Sequence, residues 1–257
     1  MSAVASVILS RADGEGSVAS RAAHKATGPS PSARLRMTPS IDVHAISIPA
    51  RTFTGDFWFT HRTRDRLWFA IGDVAGKGLP AALVMAMIQE ELEHRLASCA
   101  RTGCDPAVTV ARIHAFLRPL LPRNRFATMV IGWLGDDGTL RVVNAGHCPP
   151  LIVRTDGRFD PIPSTGPVVG VLPAPRWETA TLTLASGEHL LLYTDGVTEA
   201  TSADDDEEFG RHGIERALRT SARSSARMVA ANVFEAVERH AGGMRGDDLT
   251  LMAVMKA

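Results

Sequence analysis

The chain has 257 residues, of which 45% are hydrophobic and 22% charged, with 28 basic and 28 acidic side chains. That length and apolar content suffice for a globular protein with a sizeable core. Zero net charge argues against nucleic acid or an anionic membrane surface as partner, because both select a basic balance. Three cysteines with no Cys-x-x-Cys exclude a disulfide framework and make a reducing cytoplasm the simplest compartment.

At the N-terminus, "AVASVIL" has no basic residue before it, and no run reaches membrane-spanning length, so neither a signal peptide nor an anchor is expected. Residues 1–38, rich in Ser, Ala, Gly, Pro and Arg, read as a flexible leader. From 39 to 257 the pattern is that of a folded domain. "IDVHAISI" alternates, and "DFWFTHR" and "RLWFAIGDV" follow as strands joined by a hairpin turn at "RTRD".

Next comes "AIGDVAGKGLPAAL", which has the look of a phosphate-binding loop. The spacing refutes that. Three residues separate Gly72 from Gly76 where the motif needs four, and Gly78 stands where the hydroxyl after Lys77 should be. What remains is Asp73 at the end of an apolar strand, a glycine-rich bend, and Pro80 at the first turn of a helix. That helix is expected over 80–98, from Leu83, Val84, Met87, Ile88, Leu92 and Leu96 at helical spacing. A second runs over 106–121, with Asp105 as N-cap.

Strands return at "ATMVIGWL", "LRVVNAG", "PPLIVR", "WETATLTL" and "HLLLYTDG". Helices follow at "GIERALRTS" and "ARMVAANVFEAVERHA", and a strand "LTLMAVMK" closes the order. Grouped strands with paired helices and hairpin-length connections predict an α+β fold with antiparallel sheets.

Aspartate stands beside glycine at Gly55-Asp56, Gly72-Asp73, Asp195-Gly196 and Gly246-Asp247-Asp248. Each alone is ordinary turn chemistry. Together they place carboxylates at the ends of apolar strands, where they can converge. Clustered carboxylates repel and tolerate joint burial only with cations between them. Oxygen-only ligation selects magnesium or manganese over zinc. Paired ions of this kind clamp a phosphoryl group and activate water, so the residues point to metal-assisted hydrolysis of a phosphate ester.

The words "TGDFW", "IGDVAGKGLPAAL", "FATMVIGWL", "VNAGHCPPLIV", "GVLP", "LLLYTDGVTEA", "FG" and "GDDLTLMAV" occur in the order found in a known family. From Pro39 onward the chain resembles the bacterial PPM-type (PP2C-like) serine/threonine phosphatases of the SpoIIE/RsbU group. The resemblance implies an α-β-β-α sandwich of two mostly antiparallel sheets flanked by helix pairs, with two Mn2+ or Mg2+ ions between the sheets. Carried onto this sequence, it makes Asp56 the bridging ligand and Asp73, the Val74 carbonyl, Asp195 and Asp247 the remaining ligands. Asp248 is left as a further ligand or a support.

The resemblance also implies a substrate: phosphoserine or phosphothreonine on a STAS-domain anti-sigma-factor antagonist. That would place the chain in stress-responsive sigma-factor control in the bacterial cytoplasm, under an upstream activator protein. Eukaryotic relatives carry a histidine where Ala75 stands, so no side-chain general acid is evident. His147 reads as a structural hydrogen-bonder and Cys148 as a packed thiol. Lys77 either steers phosphate or is simply a solvated charge. Two other readings stay open: a catalytically silent phosphoprotein-binding module of the same fold, and a nucleotidyl cyclase suggested by "TGDFW".

Overall fold

The computed structural model describes residues 40–102, 104–122, 125–202, 206–219 and 224–257, with the side chains of 97–102 left aside. The leader expected over 1–38 lies outside the described residues. In chain order the elements are β1 (Ile41–Ile48), β2 (Phe57–Arg62), β3 (Arg66–Val74), α1 (Leu79–Thr102), α2 (Pro106–Leu117), β4 (Ala127–Gly135) and β5 (Thr139–Ala145). Then come β6 (Leu151–Val153), β7 (Phe159–Pro161), β8 (Ala180–Thr183), β9 (His189–Tyr193), α3 (Asp195–Thr198), α4 (Gly210–Leu218), α5 (Ala226–His240) and β10 (Leu249–Lys256).

The strands form two sheets, ordered β1-β10-β9-β6-β7 and β2-β3-β4-β5-β8. All the paired strands within them are antiparallel. Side-chain alternation sorts each central strand between two apolar layers. Along β3, Leu67, Phe69 and Ile71 face the other sheet and pack with Met252, Val254, Leu190 and Leu192. Trp68 and Ala70 face outward onto Ile88 and Leu92 of α1 and Ile113 of α2. The same division holds for β10, whose Leu251 and Ala253 turn outward to Ile214 of α4 and Val229 and Val233 of α5. A strand buried on both faces reads as an unbroken apolar run, which is why "RLWFAIGDV" does not alternate. Helix pair, sheet, sheet, helix pair: this is the α-β-β-α sandwich expected.

Differences from the sequence reading are local. α1 begins at Leu79 and runs on to Thr102, and α2 ends at Leu117. Asp105 caps α2 as expected, accepting from the Ala107 N–H at 2.8 Å. β7 and α3 were not anticipated. The strand in "HLLLYTDG" stops at Tyr193, and Asp195 opens a short helix instead of closing a strand. Cys148 is a free thiol, whereas Cys104 is disulfide-bonded, which the cysteine count did not foresee.

Candidate active site

Asp56, Asp73, Asp195 and the adjacent Asp247 and Asp248 reach one end of the sandwich from four stretches of chain, and Asp56, Asp73 and Asp195 are each made harder to charge by others of the group. Asp56 enters at the start of β2 and is 4% exposed. Its Oδ2 accepts from the Thr194 hydroxyl at 2.8 Å. Burial, reinforced by the charges of Asp73 and Asp248, pushes its carboxyl up to about 8, against the pull of the Thr250 and Thr194 hydroxyls. Asp73 lies opposite Thr128 of β4, one residue before β3 ends. Burial, then the charges of Asp195, Asp247 and Asp248, lift it to about 6. Asp195 is raised by burial and by Asp247, with Lys77 pulling the other way.

Backbone geometry brings these groups together. Gly55 packs so tightly that a Cβ there would lie 2.9 Å from Asp73 Oδ1 and 2.9 Å from the Val74 carbonyl oxygen. The missing side chain leaves that pair of oxygens facing an open cradle. At Gly196 a Cβ would come within 2.0 Å of the Asp248 carbonyl oxygen, so only glycine lets the start of α3 meet the chain entering β10. Asp248 acts as a strap. Its Oδ1 accepts from Ala50 N–H at 2.8 Å and its Oδ2 from Gly55 N–H at 3.2 Å, tying down the loop that presents Asp56. Asp247, by contrast, points to solvent and pairs with Lys77 Nζ at 3.6 Å.

Residues weighed as chemical candidates prove structural. His147 is 7% exposed and exchanges a hydrogen bond with Thr128 Oγ1 through Nδ1 at 2.8 Å. Burial pulls its imidazole down to about 4, so it is neutral near pH 7. Asn144 locks that loop, accepting from His147 N–H at 2.8 Å and donating to the carbonyls of His147 and Ile162. The Cys148 thiol is pushed up to about 12 by burial and by Asp195 and Glu199, which leaves it inert as a nucleophile. Arg125 donates through Nη1 to the Ala75 carbonyl at 2.7 Å and lies directly over Gly76, where a Cβ would be 1.6 Å from that nitrogen.

Sequence reasoning missed Thr194 and Thr250, whose hydroxyls hold Asp56, and Glu199, raised chiefly by Asp195. A threonine before "DG" and another after "DDL" were the available signal. Beside Asp195 and Asp247 a cleft of about 170 Å³ opens, lined by Gly196, Glu199, Val237, Met244 and the Arg245–Glu238 pair.

Among the described residues no group of three or more His, Cys, Asp or Glu side chains is arranged to hold a metal ion. The chemistry of the donors nonetheless suits a hard divalent cation. They are all oxygen, they include buried carboxylates that resist charging, and the Gly55 cradle exposes a carboxylate and a carbonyl side by side.

Residues 63–256 match the family model described as Stage II sporulation protein E (SpoIIE). The chain belongs to the SpoIIE family. It is 26% identical over 219 residues to phosphoserine phosphatase RsbU of Bacillus subtilis strain 168, a match covering 84% of this chain and 64% of RsbU. Solved structures share the fold. The RsbU and RsbW domains of Rv1364c from Mycobacterium tuberculosis superpose with a TM-score of 0.73 at 24% identity, covering 85% of this chain and 62% of that one. RsbX in complex with magnesium gives 0.64 at 16% identity, covering 86% of this chain and 98% of that one. No described helix of this SpoIIE-family chain is long and apolar enough to cross a membrane.

Proposed function

We propose that this SpoIIE-family domain is a metal-dependent protein phosphatase that hydrolyses phosphoserine or phosphothreonine. The observation that carries the proposal is the carboxylate cluster itself. Asp56 and Asp73 resist ionisation through burial and mutual repulsion, a cost that bound cations offset. Family membership and the similarity to a phosphoserine phosphatase support the same reading.

In this reading Asp56, Asp73, the Val74 carbonyl, Asp195 and Asp247 hold two Mn2+ or Mg2+ ions. Such ions supply Lewis-acid clamping of the phosphoryl oxygens and an activated water at neutral pH. The chain's own part is to set that site. Thr194 and Thr250 fix the Asp56 carboxylate, Asp248 fixes its loop, and Gly55 keeps the oxygen pair at Asp73 and Val74 uncovered. Burial of Asp56 keeps bulk water from its carboxylate, which strengthens the charge interactions it makes. Ala75 supplies no proton to the leaving serine, and His147 is neutral and already engaged with Thr128.

The RsbU resemblance extends the proposal to the substrate, a phosphorylated STAS-domain anti-sigma-factor antagonist in the cytoplasm. The test uses full-length protein stripped with EDTA, given manganese, magnesium or zinc, and assayed on p-nitrophenyl phosphate, a phosphoserine peptide and nucleoside triphosphate. Restoration of phosphate release by manganese or magnesium and not zinc is expected. Full turnover without metal refutes the mechanism. Peptide binding without turnover makes it a silent binding module, and nucleotide conversion makes it a cyclase.

A further inference from the structure

We infer that Lys77 is the residue that binds the substrate's phosphate, exchanging Asp247 for the phosphoryl oxygens as substrate arrives. The inference deepens the phosphatase reading and rests on it. Lys77 Nζ lies 3.6 Å from Asp247 Oδ2, with 58% of the lysine side chain and 47% of the aspartate side chain exposed. A pair so open to water holds weakly, so the ammonium is free to change partners. Its charge also reaches Asp195 and Glu199, opposing the repulsion that raises both.

The lysine is also mounted on a built turn. Gly76 at φ +106° and Gly78 at φ +76° flank it, in a backbone region that side chains other than glycine's rarely enter. Arg125 holds the Ala75 carbonyl on one side, and Gly78 accepts from Ala81 N–H at 3.1 Å, at the start of α1, on the other. A backbone pinned this way just after Asp73 delivers a mobile four-carbon arm to one place, beside carboxylates that would otherwise repel a phosphate dianion.

Two opposite effects follow from one ammonium. It competes with a cation for Asp247, and it attracts phosphate. Lys77→Gln keeps a flexible polar side chain, one atom shorter, and removes the charge. In the full-length protein it is expected to bind manganese about threefold more tightly, measured by calorimetry. The same variant is expected to raise KM for p-nitrophenyl phosphate and for a phosphoserine peptide roughly tenfold with kcat little changed, as the loss of uniform binding requires. Lys77→Arg should restore both values. Unchanged KM in Lys77→Gln overturns the inference and leaves a solvated charge. Weaker manganese binding also overturns it, because the lysine would then be holding Asp247 in position. Failure of arginine to rescue removes charge as the agent. If the wild-type protein shows no turnover, the phosphatase reading fails separately. The lysine is then judged by calorimetry of inorganic phosphate on the manganese-loaded protein, where Lys77→Gln must weaken binding.

Discussion

Asp56 is 4% exposed, clasped by threonine hydroxyls and titrates near 8, whereas the Asp247 side chain is 47% exposed and faces an ammonium. Both belong to one cluster of carboxylates. The inner one is fixed by the fold, which withdraws its water and supplies hydrogen bonds in exchange. The outer one pairs with an exposed ammonium. The contrast divides the cluster into a buried, hydrogen-bonded half and an exposed half; in the proposed mechanism the first would hold cations and the second would meet the substrate.

The strongest way to break that contrast is to neutralise each end in turn. Asp56→Asn should abolish manganese-dependent turnover by several orders of magnitude. It should also raise the melting temperature of the EDTA-treated protein at pH 8, since a buried charge that costs folding energy is gone. Asp247→Asn should lower turnover while leaving that melting temperature where it was. Equal thermal shifts in the two variants would erase the distinction between halves.

Glycine substitutions come next in size. Gly196→Ala puts a methyl 2.0 Å from the Asp248 carbonyl oxygen, backbone against backbone, and should cost about 1–3 kcal/mol by denaturant melting together with most of the activity. Gly246→Ala, next to Asp247 but with nothing within 4 Å of its Cβ, should be nearly silent. A silent Gly196→Ala would mean that the junction of α3 with β10 is softer than its geometry.

The pH dependence sharpens the comparison further. Because the folded Asp56 holds its proton up to about 8 and an unfolded one releases it near 3.8, the folded state binds more protons between those values. Stability of the metal-free protein should therefore fall as pH rises from about 4 toward about 8, followed by melting temperature in EDTA. Thr194→Val removes a hydroxyl that lowers the Asp56 value, so it should push the upper end of that fall to higher pH. A flat profile would show that Asp56 is already hydrated enough to ionise freely.

The smallest effect on turnover is expected at His147. His147→Ala should lower the melting temperature through loss of its contact with Thr128 and leave kcat on p-nitrophenyl phosphate nearly unchanged. Loss of phosphoserine turnover with unchanged melting would instead make His147 the acid for the leaving group.

Much of this was legible because burial leaves a pattern. The strands 41–48, 66–74 and 249–256 coincide with the runs read from sequence, since each is either alternating or apolar throughout. The carboxylates stood out because aspartate beside glycine recurred at strand ends. Hydroxyl partners leave a fainter trace, so the roles of Thr194 and Thr250 emerged only when the turn after β9 was set against β10. Asp248 shows the same limit. Its doublet with Asp247 left it as a further ligand or a support, while the backbone N–H groups it accepts from, at Ala50 and Gly55, lie far away in the chain. β7 was hidden by brevity, and α3 by the turn-like composition of Thr194-Asp195-Gly196.

One consequence concerns the order in which these parts are made. β10 follows every other described element in the chain, yet it sits between β1 and β9 in its sheet, and the two residues before it are Asp247 and Asp248. Until it pairs, β1 has no neighbour in the sheet, and the Asp248 strap on Ala50 and Gly55 is missing from the loop bearing Asp56. Such long-range closure is slow relative to helix and hairpin formation. The carboxylates at Asp56 and Asp73 are therefore made long before the strand that closes the cluster around them, and the cluster depends on that long-range pairing.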